Sequence, residues 1–150
     1  MFKKNKVGVV GSGTMGNGIA HVFAIHGYKV TVVDISQKIL DNAINKIRNN
    51  MERQTKKNII SDNDAAIALR NIDTTTNLEL LSDCNLIIEA VKEDLDIKVE
   101  IFKKLDSICS DKTIFASNTS SISINTLGSS LKNPGKFIGM HFMNPVPVMK

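Results

Sequence analysis

Apolar positions along the chain fall into two rhythms. KVGVV (6–10) and KVTVV (29–33) are β-branched runs, apolar at nearly every position, as expected of strands buried on both faces. Between them TMGNGIAHVFAIHG is compatible with a helix, with Gly27 as the predicted C-cap, so the first 33 residues read as a βαβ unit. From Ser36, a predicted N-cap, to about Lys57, the residues Ile39, Leu40, Ala43, Ile44, Ile47 and Met51 recur at spacings of three and four and predict a long amphipathic helix. SDNDAAIALRN predicts a short helix capped by Ser61 or Asp62. IDTTT (72–76), NLIIEAV (85–91), TIFASN (113–118) and KFIGMHF (136–142) predict further strands, and DLDIKVEIFKKLDSIC (94–109) an amphipathic helix. Strands alternating with helices argue for an α/β fold: a doubly wound, mostly parallel sheet with helices on both faces.

Composition narrows the class. A length of 150 residues suits one domain, and 42% hydrophobic with 23% charged residues is ordinary for a soluble globular protein. No segment approaches the roughly 18 apolar residues of a membrane span, and MFKKNKVGVVGSG lacks the apolar core and cleavage site of a signal peptide, so no membrane association and a cytoplasmic location are expected. Cys84 and Cys109 lie far apart, without CxxC spacing or a nearby histidine; they are expected to be reduced, inert thiols, with no metal site. A net charge of +4 suits nucleic acid or any ligand carrying several phosphates. With Tyr28 the only tyrosine and no tryptophan, stacking platforms are missing, and a nucleic-acid partner ranks last.

The phosphate-bearing ligand gains substance at GSGTMG (11–16), which leaves a strand and opens a helix. In that context Gly11 permits the tight turn, Gly13 lets a pyrophosphate approach the main chain, and Gly16 lets the helix pack against the strand. The helix start at Thr14 and Met15 offers free N–H groups to phosphate charge. Asp34 ends the second strand, about 20 residues on, where a carboxylate bonds ribose hydroxyls and disfavours a ribose phosphate. The alternative is a plain tight turn with Asp34 capping the next helix. Strand, loop, helix, second strand and acid in register favour a Rossmann-type fold that takes NAD rather than NADP.

Ligands in such a sheet bind beyond the carboxyl ends of the strands, so EAVKED and SNTSS are the next segments of interest. For Ser121 and Ser123 local capping accounts for the residue type. Glu93 and Lys98 suit an exposed helix-start pair and a cofactor contact equally well on pattern alone. Lone histidines are more often structural than catalytic, and His21 and His26 on the first helix are read that way.

GSGTMGNGIA, the acid of VVD, IIEAVKED, FASNTSSISI and IGMHFMNPVPVMK, in this order and spacing, closely resemble the NAD-binding domain of the 3-hydroxyacyl-CoA dehydrogenases, with the bacterial 3-hydroxybutyryl-CoA dehydrogenases the nearest branch. The resemblance runs over residues 6–150. It implies an oxidoreductase of fatty acid and butanoate metabolism that oxidises a 3-hydroxyacyl-CoA as a hydride passes to NAD, and a homodimer for the full-length family member. His141 would be the general base, a role that suits an imidazole titrating near neutrality. Ser120 would bond the reacting substrate oxygen and Asn144 would shape the site. Ala90, Glu93, Lys98 and Asn118 match cofactor-contacting positions. Lys46, Arg48, Arg53, Lys56 and Lys57 read first as a solvated face, but Lys57 matches a lysine that contacts the nucleotide portion of coenzyme A.

The family's sequence continues past VPVMK to a glutamate that orients the histidine, and then to an all-helical domain that completes the substrate site and the dimer interface. On this resemblance residues 1–150 are expected to correspond to the NAD-binding domain, ending just before that glutamate. Taken alone the chain is expected to bind NAD and to be essentially inactive; a non-catalytic dinucleotide-binding module is the competing reading.

Overall fold

A computed structural model describes residues 6–149; the opening residues weighed above as a possible leader, and Lys150 at the end of the quoted motif, lie outside the described residues. Six strands, β1 (Lys6–Val10), β2 (Lys29–Val33), β3 (Ile72–Thr75), β4 (Leu86–Glu89), β5 (Ile114–Ser117) and β6 (Phe137–Gly139), form one sheet in the order β3-β2-β1-β4-β5-β6. Every pairing is parallel, a stricter result than the mostly parallel sheet expected. The order reverses between β1 and β4, which places a crevice beyond their carboxyl ends.

Five helices cover the sheet: α1 (Thr14–Ile25), α2 (Gln37–Lys56), α3 (Asp62–Arg70), α4 (Leu95–Ile108) and the short α5 (Ile124–Gly128). Alternation along each strand builds two cores. Val7, Val9, Val30, Val32 and Ile88 pack with Ile19, Leu40, Ile47 and Met51 on one face; Val10, Val33, Ile87 and Phe115 pack with Phe102, Leu105 and Leu127 on the other. Phe102 meets Phe115 and Phe137 edge-on, with centroids 6.2 and 4.8 Å apart.

Helix boundaries follow the predicted caps. Gly27, at φ +80°, closes α1: its N–H donates to Ala24 O and that of Tyr28 to Phe23 O, the paired bonds of a left-handed stop. Ser36 caps α2, and Ser61 rather than Asp62 caps α3, in a reciprocal box with Asp64. The strands stop short of the predicted runs 85–91, 113–118 and 136–142. Just past each edge a side chain captures a backbone N–H: Glu89 takes Val91, Ser117 takes Thr119, and Asn118 takes Phe142. The residues that leave the ladder are those at the crevice.

Candidate functional site

The glycine loop connects β1 to α1 along the lip of the crevice. Gly11 sits at φ +92°, and a Cβ there would stand 2.7 Å from the Ala90 carbonyl oxygen. A Cβ on Gly16 would lie 1.8 Å from Gly11 O, so this residue fixes how closely α1 approaches the turn. Gly13 is different: a Cβ would meet no protein atom within 4 Å, so the space beside it is open to a ligand. Gly13 is also the N-cap of α1 and gives it no side-chain cap, which leaves the first-turn N–H groups at exposed Thr14 and half-buried Met15 facing an uncapped end.

Asp34 follows β2 directly. Its Oδ2 accepts from both the N–H and the hydroxyl of Ser12 at 2.7 Å, and its Oδ1 from the Ile35 N–H at 2.7 Å. The carboxylate is thereby fixed beside the loop. A cleft of about 280 Å³, lined by Gly11, Asp34, Ile35, Leu78, Val91 and Ile101, opens next to it, apolar enough for a base and acidic where a ribose would lie. A larger groove of about 410 Å³ between α2, α3 and β3 contains none of the predicted site residues.

Beyond β4 the predicted Glu93 and Lys98 meet a residue that sequence reasoning passed over. Glu89, fully buried, accepts Lys98 Nζ at 2.6 Å and Val91 N–H at 2.7 Å on Oε1, and Ser117 Oγ at 2.6 Å on Oε2. Lys98 is 1% exposed, which overturns the exposed-pair reading; its ammonium also reaches Glu93 Oε2 at 3.2 Å. Glu93 gathers the loop after β5 on its other oxygen, which accepts the Thr119 hydroxyl, the N–H groups of Ser120 and Ser121 at 3.2 Å and the Ser121 hydroxyl at 3.0 Å. Partial burial pushes the Glu93 carboxyl up, but the hydroxyls of Thr119 and Ser121 and the Lys98 ammonium outweigh it and bring the pKa down to about 2. Ala90, half-buried, donates to Val10 O at 2.8 Å and keeps β4 joined to the glycine turn.

The loop after β5 adjoins the segment after β6. Asn118 Oδ1 accepts the Phe142 N–H at 2.8 Å, and Met140 N–H donates to Ser117 O at 2.9 Å, so the backbones on both sides of His141 are tied to β5. His141, Ser120 and Asn144 are exposed at this edge. The His141 ring makes no hydrogen bond or ion pair among the described residues. The chain then crosses α1 at Gly18, where a Cβ would stand 2.9 Å from Val146 Cβ. Lys57 C-caps α2 and lines, with Arg53, Gln54, Pro145 and Val148, a cavity of about 170 Å³ beside this crossing.

The other two histidines behave as read. His21 is fully buried, with Nε2 3.0 Å from Gln54 Oε1, and burial lowers its pKa; a ring nitrogen of His26 lies 2.8 Å from Val22 O. Ser123 caps α5. Burial pushes the thiols of Cys84 and Cys109 up to about 12 and about 11.

A glycine turn with an open face, an uncapped helix start, an acid fixed at the end of β2 and a switch point between β1 and β4 define a dinucleotide-binding α/β domain. Residues 6–150 match the family described as 3-hydroxyacyl-CoA dehydrogenase, NAD binding domain, and the chain belongs to that family. It is 45% identical over 145 residues to a 3-hydroxybutyryl-CoA dehydrogenase of Clostridioides difficile, covering 97% of this chain and 52% of that protein. A 3-hydroxyadipyl-CoA dehydrogenase of Escherichia coli is 38% identical, with 100% and 32% covered. The crystal structure of (S)-3-hydroxybutyryl-CoA dehydrogenase from Ralstonia eutropha superposes with a TM-score of 0.95 at 43% identity, covering 98% of this chain and 52% of that one. The chain thus spans about half the length of the 3-hydroxybutyryl-CoA dehydrogenases it matches.

Proposed function

We propose that this chain serves as the cofactor half of a 3-hydroxyacyl-CoA dehydrogenase acting on a short acyl group such as 3-hydroxybutyryl-CoA. What supports the reading is that the loops after β1, β4, β5 and β6 all leave the same edge of the parallel sheet, with the His141 segment tied to the Ser120 loop through Asn118. The fit to NAD rests on the chain's own features: the open face of Gly13, the uncapped start of α1 and the fixed carboxylate of Asp34. When bound, NAD supplies a hydride acceptor for the carbinol carbon.

In this reading Gly11, Gly13 and Gly16 with the Thr14–Met15 helix start hold the pyrophosphate, and Asp34 bonds the adenosine ribose. Ala90, Glu93, Lys98 and Asn118 form the wall of the nicotinamide half. His141 removes the hydroxyl proton as the alcohol is oxidised and returns it in reduction, Ser120 bonds the same oxygen, and Asn144 limits how the substrate lies. Lys57, beside Arg53, takes phosphate charge of coenzyme A. The reading extends to a homodimer for the complete dehydrogenase and to a cytoplasmic reaction.

Two measurements test it. Fluorescence titration of the chain with NADH is expected to saturate, and absence of saturation would remove the cofactor reading. Oxidation of NADH dependent on acetoacetyl-CoA, by a polypeptide pairing this domain with the remaining half of a dehydrogenase, tests the reaction; no turnover with any 3-ketoacyl-CoA would leave a binding module instead.

A further inference from the structure

We infer that Glu89 is a positioning residue for the nicotinamide half of the site: it fixes Lys98, and through it Glu93, and gives this wall a net negative charge that favours the oxidised, positively charged cofactor ring over the reduced one. The inference rests on the NAD reading above and goes beyond it by assigning a charge preference to residues of the fold.

Placement comes first. Asp34 at the end of β2 claims one end of the dinucleotide, so the other end extends across the switch point over β4 and β5. Glu89 is the last residue of β4, opposite Val10 of β1 and Ser117 of β5 in the ladder. It stands at the floor of that half of the crevice.

Charge comes next. Three donors, the Lys98 ammonium, the Val91 N–H and the Ser117 hydroxyl, converge on the buried Glu89 carboxylate. Lys98, itself buried, is shared with Glu93, so two carboxylates stand against one ammonium and the cluster keeps one net negative charge. Of the neighbouring charged side chains, Asp94 is committed to capping α4 and Lys92 is exposed. A charge held in a partly dry wall acts over several ångströms with little screening, and hydride acceptance changes the ring's charge by one unit. The ordered cluster therefore biases the two oxidation states differently, which an uncharged support of the same shape would not do.

The test is the ratio of the dissociation constants for NAD⁺ and NADH, measured on the chain by calorimetry and by fluorescence. In Glu89→Gln, which keeps the shape and removes one charge, the ratio is expected to move toward NADH by about three- to tenfold. Glu89→Asp, which keeps the charge, is expected to stay within about twofold of the parent ratio even where both affinities fall. Parallel weakening of both cofactors in Glu89→Gln, at an unchanged ratio, would make Glu89 merely structural and overturn the inference. Should circular dichroism show that Glu89→Gln does not fold, Glu93→Gln decides: it removes a charge from the same cluster at an exposed position, and an unchanged ratio there overturns the inference equally. Failure of the parent chain to bind either cofactor would instead strike the NAD reading, and this inference with it.

Discussion

The N–H and the hydroxyl of Ser12 donate to the same oxygen of Asp34, each at 2.7 Å. The carboxylate is therefore oriented before any ribose arrives, and its charge cannot swing away from a phosphate placed on that ribose. NAD is expected to bind at least about tenfold more tightly than NADP, which corresponds to roughly 1.4 kcal/mol. Asp34→Ala is expected to weaken NAD and narrow the gap; competitive titration of the two nucleotides checks both, and equal affinities for the parent would refute the role.

The glycines of the loop separate by what limits them. Gly16→Ala puts a methyl into the Gly11 carbonyl and is expected to cost roughly 3 kcal/mol or more of stability in a denaturant melt. Gly13→Ala is expected to change stability by no more than about 1 kcal/mol, yet to weaken NAD binding roughly tenfold or more, because its methyl enters the ligand's space.

Glu93 sets an acid limit. Its folded pKa, about 2, lies below the ordinary carboxyl value of 4.5, so its contribution to stability is fully present above pH 4.5 and is lost as the pH falls toward 2. Glu93→Gln is expected to be less stable than the parent near neutrality and to show a flatter loss of stability across that window. Chemical denaturation at a series of pH values reads the difference, and parallel curves would count against the role.

In a complete dehydrogenase carrying this domain, His141→Ala is expected to lower kcat by about 10²- to 10⁴-fold while NADH affinity stays within about twofold, as loss of a general base requires. Ser120→Ala is expected to cost less, roughly tenfold, since one hydrogen bond to the substrate oxygen is lost and the base remains. Pre-steady-state hydride transfer separates these from effects on product release.

Thiol chemistry offers a further check on packing. With burial holding Cys84 near 12 and Cys109 near 11, alkylation of the native chain at pH 8 is expected to be slow at both and fast once the chain is unfolded. Rapid native labelling of Cys84 would contradict its buried place in the core that also holds Leu81 and Phe115.

The strands were legible because both faces of this sheet are covered, so Val9 and Val10, like Val32 and Val33, are buried at successive positions without alternation. The caps at Gly27, Ser36 and Ser61 were legible for a local reason, since each acts within a few residues of itself. Glu89 was not. An acid at the end of an apolar run reads as the point where a strand meets water, and nothing nearby in sequence announces that Lys98, nine positions on, and Ser117, on the next strand, will enclose it. For Lys98 the pattern leaves both readings open for the same reason: helical periodicity assigns a face, but which face is buried depends on where α4 settles over β4. The segments around Ser120 and His141 were recognisable from their motifs, while the Asn118–Phe142 bond that joins them needed the sheet order.

Gly16 and Gly13 lie three positions apart, yet they would answer to different pressures. A screen that scores only whether the chain folds would tolerate replacement at Gly13 and reject it at Gly16, whereas growth dependent on the cofactor would reject both. The loop can therefore lose its ligand without any sign in its stability. A descendant released from turnover would be expected to drift first at Gly13, and its fold would persist as long as Gly16 remained.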